Sequence, residues 1–122
     1  MPKEKISKHF YRHEVACKCG CGFDTMDGVT LALADECRDF VRHPIKPTSG
    51  ARCAVHNAAE KGTKHSQHLK GRAMDLPTLD PEGLYNYLCN QYPDQYGFGL
   101  YKTFVHIDSR TNGPARWKGG GL

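Results

Sequence analysis

Between Asp27 and His43 the apolar positions recur at helical spacing, with Val29, Leu33, Cys37 and Phe40 on one stripe. Asp27 stands before this run as an N-cap and Pro44 ends it. A second helix is predicted from Asp80-Pro81, a capping residue followed by proline at the first helical position. It carries Leu84, Tyr85, Leu88 and Cys89 and stops before Pro93. Ile45 to Ser49 reads as a short strand, demoted to an edge or irregular piece by Pro47. Ala54 to Lys61 predicts a helical turn, followed by a polar loop from Gly62 to Lys70. Arg72 to Leu76 reads as a strand. Gly99-Leu100-Tyr101 and Phe104 to Asp108 form a hairpin about Lys102-Thr103. The pattern is that of an α+β domain, a small antiparallel sheet flanked by helices. One domain spans 1–122, with an N-terminal arm over 1–26 and a glycine-rich tail over 111–122, mobile except near Trp117.

Length and charge narrow this picture. A chain of 122 residues supports one modest core. No apolar run approaches the length of a membrane helix. The opening Met1-Pro2-Lys3-Glu4-Lys5-Ile6-Ser7 lacks the apolar stretch of a secretory leader, so the chain is expected in the cytoplasm as synthesised. The net charge of +4 suits an anionic surface but is too weak alone to argue for nucleic acid. Without a leader, the six cysteines are not read as a disulfide framework. Cys17-Lys18-Cys19-Gly20-Cys21 is either a thiolate-rich metal site or a set of free thiols packed in a turn; its spacing differs from the usual C-x-x-C knuckle. Cys37 and Cys89 fall on helices as small core residues.

The candidate chemistry lies in Ser66-Gln67-His68-Leu69-Lys70-Gly71-Arg72-Ala73-Met74-Asp75-Leu76 and in Phe104-Val105-His106-Ile107-Asp108. His68, Asp75 and His106 supply two imidazoles and a carboxylate, a set that suits a catalytic zinc with a fourth position open. Gly71 allows a tight turn between the first two. Asp75 and His106 each sit in an apolar run, where unpaired polar groups are costly to bury and a metal would relieve the cost. On a strand, Asp108 faces the same side as His106. Asp108 is therefore a candidate general base, or else a carboxylate that orients an imidazole or Arg110. His65 reads as solvent-exposed, and His9, His13, His43 and His56 have no ligand-like neighbours. Trp117 and the tyrosines read as core or rim packing, with Tyr101 bordering the cleft.

Ser-x-His-x-x-Gly-x-Ala-x-Asp followed by a distant His-x-Asp resembles the zinc D-alanyl-D-alanine carboxypeptidase family. That superfamily includes peptidoglycan carboxypeptidases, phage L-alanyl-D-glutamate endolysins and, more remotely, the hedgehog signalling domain. The resemblance extends to Thr48-Ser49-Gly50-Ala51-Arg52-Cys53 with His56-Asn57, to Asp108-Ser109-Arg110, to Ala115-Arg116-Trp117, and to the opening 6–22. It implies a monomeric zinc peptidase of the hedgehog-like fold acting on peptidoglycan peptides, as carboxypeptidase or endopeptidase, with no nucleic-acid or membrane partner. It also implies that Arg52 engages a substrate carboxylate or carbonyl oxygen and that Ser66 bonds near the scissile amide. Many relatives carry Glu, Asp or His as general base three positions before the last zinc ligand; this chain has Thr103 there. That departure keeps open a second reading, a metal-stabilised binding module without catalysis.

Overall fold

The computed structural model describes residues 4–60, 62 and 65–119. Its elements are α1 (Arg12–Val15), α2 (Gly28–Val41), α3 (Ala54–Ala59), a 3₁₀ turn (Gln67–Lys70), β1 (Ala73–Pro77), α4 (Pro81–Gln91), β2 (Gly97–Leu100), β3 (Phe104–Asp108) and β4 (Ala115–Lys118). The four strands form one sheet in the order β1-β3-β2-β4. β3 pairs antiparallel with both β1 and β2, whereas β4 pairs parallel with β2. The sheet is thus mixed. Its fourth strand comes from the region around Trp117 in the glycine-rich tail, held to β2 in register from Gly97↔Ala115 to Leu100↔Lys118.

Strand alternation divides the sheet into two faces of different character. Met74 and Leu76 of β1, Phe98 and Leu100 of β2, and Val105 and Ile107 of β3 are buried on the core face. Helices α2 and α4 cover that face, burying Leu31, Leu33, Ala34, Cys37, Leu84 and Leu88 in the same cluster. Glu36 of α2 accepts hydrogen bonds from the hydroxyls of Tyr87 and Tyr92, joining the two helices at the edge of the core. The opposite face of the sheet carries Asp75, His106 and Asp108.

The helix starts follow the sequence signals. Asp27 accepts from the amides of Val29 and Thr30, and Asp80 accepts from Gly83, satisfying donors that a helix leaves free at its first turn. α2 ends at Arg42, which takes a left-handed conformation before Pro44. Its apolar stripe is shorter than the pattern suggests: Val29 and Phe40 are 46% and 44% exposed, and Thr30, Leu31 and Ala34 fill the buried face instead. The expected strand over 45–49 reduces to a single bridge, Ser49 with Asp75. Proline at position 47 cannot donate to a ladder, which accounts for the shortening.

Leu84 is fully buried between α4 and the sheet. Leu84→Ala is expected to cost about 2–5 kcal/mol, the range for a buried leucine that leaves a cavity. Urea denaturation followed by circular dichroism measures it; a loss under about 0.5 kcal/mol would place Leu84 outside the cooperative core.

Candidate metal centre and cleft

Asp75 of β1 lies directly opposite His106 of β3. Opposed residues of an antiparallel pair leave the sheet on the same side with Cβ atoms about 4.5–5.5 Å apart, so carboxylate and imidazole meet. Asp75 Oδ1 is 3.1 Å from His106 Nδ1 and 3.4 Å from His68 Nε2. The His68 ring arrives from the 3₁₀ turn, whose cap is Ser66; its hydroxyl accepts from the His68 amide at 3.2 Å. Gly71 ends that turn at φ +65°, and a Cβ there would fall 2.4 Å from the Thr25 carbonyl. Only glycine turns the chain into β1 at this point. The three ligand atoms lie within 4.8 Å of one another, and all three residues are buried.

Each imidazole is held by its far nitrogen. His68 Nδ1 is 2.7 Å from the Gly50 carbonyl, which only accepts, so that nitrogen carries the proton and Nε2 is left beside Asp75 with a lone pair free for a cation. His106 Nε2 donates to Asp108 at 2.8 Å, leaving Nδ1 toward Asp75. Two imidazole nitrogens and a carboxylate oxygen thus converge, each ring oriented from behind as metal-bound histidines are. Such a donor set fits a divalent cation of zinc type. Titration behaviour follows the same geometry. Burial would raise the Asp75 carboxyl, but the two imidazoles beside it, His106 first and His68 second, outweigh it and hold it well below the usual range. Burial would lower His106, and the carboxylates of Asp108 and Asp75 raise it instead.

Asp108 is fully buried and has no free oxygen. Oδ1 accepts from Arg110 Nε at 2.8 Å and from the Arg110 amide at 3.1 Å. Oδ2 accepts from Arg110 Nη2 at 2.7 Å and from His106 Nε2 at 2.8 Å. Burial alone would raise this carboxyl; Arg110, then His106, bring it far below the ordinary value. Space for this arrangement comes from β2, where Gly97 lies opposite Asp108 and Gly99 opposite His106. A Cβ at Gly97 would sit 2.4 Å from Asp108 Oδ2, and one at Gly99 2.4 Å from the Trp117 ring.

The cluster opens into a cleft of about 540 Å³ whose walls include Arg52, Glu60, Ser66, Tyr101, Arg110 and Trp117. Arg52 is held by three contacts: Nε to Ser49 Oγ at 2.9 Å, Nη1 to Asn57 Oδ1 at 3.2 Å and Nη2 to Asp75 Oδ2 at 3.5 Å. Those contacts use three of the five guanidinium N–H groups. Trp117 stands 4.9 Å from the His106 ring and donates to the Tyr101 hydroxyl at 2.9 Å. A second concavity of about 510 Å³ lies between the N-terminal arm and the segment Pro44 to Pro47 that follows α2. Size does not distinguish the two; the converging ligands do.

Of the residues expected at a site, His68, Asp75, His106, Arg52 and Ser66 come together here. Asp108 lies behind His106 rather than on the cleft wall. Thr103 is exposed in the β2–β3 turn, its carbonyl accepting from the Thr78 amide. His65 is exposed, as expected, but borders the cleft. Sequence reading missed the wall formed by Arg110 and Trp117 and the two glycines of β2. The alternation Gly97-Phe98-Gly99-Leu100 was the available signal: apolar on the core side, bare on the other.

No curated protein matches the chain. The family model for Peptidase M15 matches residues 8–108, a span that holds Arg52, His68, Asp75, His106 and Asp108. Enzymes of that group are metallopeptidases, usually of zinc, which agrees with the donor set described above. With most of its length matched and the ligand cluster within that match, the chain belongs to the Peptidase M15 family.

Proposed function

We propose that this protein is a zinc-dependent peptidase that hydrolyses a peptide bond in the stem peptide or cross-link of peptidoglycan. The observation that carries the reading is the convergence of His68, Asp75 and His106 at the floor of a cleft with Arg52 on its wall. A zinc ion held by those three residues supplies a Lewis acid that polarises a carbonyl and makes water a nucleophile near neutral pH. Among the described residues Arg52 keeps two N–H groups beyond its three contacts, enough to grip a substrate carboxylate or carbonyl oxygen. Its contacts to Ser49, Asn57 and Asp75 set the fork before substrate arrives, so little order is lost on binding. The cleft is within the size range of small-ligand sites and suits a short peptide. The peptidoglycan target rests on the motif resemblance to the peptidoglycan carboxypeptidases and endolysins, and the net charge of +4 favours an anionic wall.

Between the two roles open to Asp108, the contacts favour orientation. Both of its oxygens are engaged and its carboxyl is held well below the usual range, which makes it a weak proton acceptor. We assign it to holding His106 and Arg110. The binding-module reading draws on one observation, the exposed Thr103 in the position where relatives carry a base.

Digestion of purified muropeptides with mass analysis of the products tests the function. Cleavage that stops with a chelator and returns with zinc is expected. A zinc-loaded chain that leaves every muropeptide intact would favour the binding module. Arg52→Lys retains charge but loses the fork, and kcat/KM is expected to fall about tenfold or more, equivalent to about 1.4 kcal/mol. Unchanged turnover in that variant would remove Arg52 from the site. For Asp108→Asn, zinc affinity is expected to fall about 10–100-fold, with activity recovering at excess zinc. If instead zinc binding is intact and the rate loss persists at saturating metal, Asp108 is the base.

A further inference from the structure

The metal cluster just described leaves four of the six cysteines unexplained. Cys17, Cys19 and Cys21 on the N-terminal arm meet Cys53, which follows Arg52 and caps α3. Their sulfur atoms all lie within 4.8 Å of one another. The Sγ–Sγ distances are 3.4 Å for Cys17–Cys19, 3.6 Å for Cys19–Cys53 and 3.8 Å for Cys17–Cys53. A disulfide holds its sulfurs at about 2.05 Å, far closer than these. Four thiolates around one zinc, at about 2.3 Å each, stand about 3.8 Å apart along every edge of the tetrahedron. The observed spacing is near that edge.

The local backbone is built for convergence. In an extended chain, alternate residues are about 6.6–6.8 Å apart, so 17, 19 and 21 could not share an ion. Gly20 and Gly22 take left-handed conformations, at φ +82° and +94°, and fold the three alternate thiols back on one another. The Cys17 amide closes the loop onto the Phe23 carbonyl at 2.7 Å. Backbone N–H groups point at the sulfurs: Cys53 N to Cys17 Sγ and His56 N to Cys53 Sγ, both 3.4 Å. Such donors favour thiolate over thiol. Packing does not account for the cluster, because Cys19 and Cys21 are exposed and yet face the other two.

We propose that Cys17, Cys19, Cys21 and Cys53 form a second, structural metal site that binds one zinc ion through four thiolates. Binding releases the thiol protons to solvent. The site ties the arm to the segment that carries Arg52. That junction is otherwise held by the hydrogen bond from the Ala51 amide to the Val15 carbonyl, 2.8 Å. A closed four-sulfur site has no open position and so serves structure, in contrast to the three-ligand cluster.

Elemental analysis of the full chain, purified without chelator, is expected to give two zinc ions per chain. His68→Ala, which leaves all four thiols in place, should retain one; a thiol-specific mercurial should release that ion into a chromogenic zinc indicator. Cys19→Ser with Cys21→Ser should lose the same ion while the ion of the cleft remains. Cobalt(II) loaded into His68→Ala should show sulfur-to-metal charge-transfer bands, a readout that stands even if the cysteine variant does not fold. A His68→Ala protein that holds no zinc and shows no such bands overturns the proposal, as does a disulfide among these cysteines. Neither result bears on the His68, Asp75 and His106 cluster.

Discussion

The site rests on one register, the pairing of β1 with β3 that sets Asp75 opposite His106. Side chains alternate along a strand, so a slip of one residue would turn the carboxylate into the core and bring Met74 or Leu76 to the cleft. The register is held by the face behind it. Met74, Leu76, Val105 and Ile107 are fully buried against α2 and α4, and a slip would expose them all. The same apolar burial that stabilises the fold therefore aligns two polar ligands on the other side of the sheet. Hydrophobic packing and the candidate metal cluster are two faces of one pairing.

The third ligand and the arginine reach the cluster through loops, and buried polar contacts take the place of the ladder there. Asp27, besides capping α2, donates its amide to the Gly71 carbonyl at 2.7 Å and accepts from Ser109 Oγ at 2.8 Å. Thr30 adds bonds to the Arg72 carbonyl and to Ser109, at 2.9 and 2.8 Å. The start of α2 is thus tied to the entry of β1 and the exit of β3, which lie side by side at one end of the pair. The Arg52 amide donates to the His68 carbonyl at 3.0 Å, while His68 Nδ1 donates to Gly50 at 2.7 Å. These two bonds lock the arginine segment and the 3₁₀ turn together. Buried networks of this kind, fully satisfied, hold geometry more tightly than apolar contact does.

Much of this was legible in the residue pattern, and the remainder was not for definite reasons. The cluster of His68, Asp75 and His106 could be read because a carboxylate in an apolar run and a histidine on a strand are each costly alone and cheap together. Both long helices announced their starts through Asp27 and Asp80-Pro81. β4 could not be read: four residues among glycines carry too little periodicity, and parallel pairing to β2 is a tertiary fact. The partner of the arm cysteines was hidden for the same reason, since nothing local links Cys53 to a turn 32 residues or more away. Val29 and Phe40 show the reverse error, a helical stripe counted by spacing whose ends the core is too small to cover.

The central claim is that His68, Asp75 and His106 act together on one ion, each imidazole through a particular nitrogen. Crystals of the chain grown with zinc and measured at the zinc absorption edge test this directly. The account requires an anomalous peak in the cleft at about 2.0–2.2 Å from His68 Nε2, an Asp75 carboxylate oxygen and His106 Nδ1. A peak bound through His68 Nδ1 or His106 Nε2, or no peak at these residues with zinc present elsewhere, would contradict it.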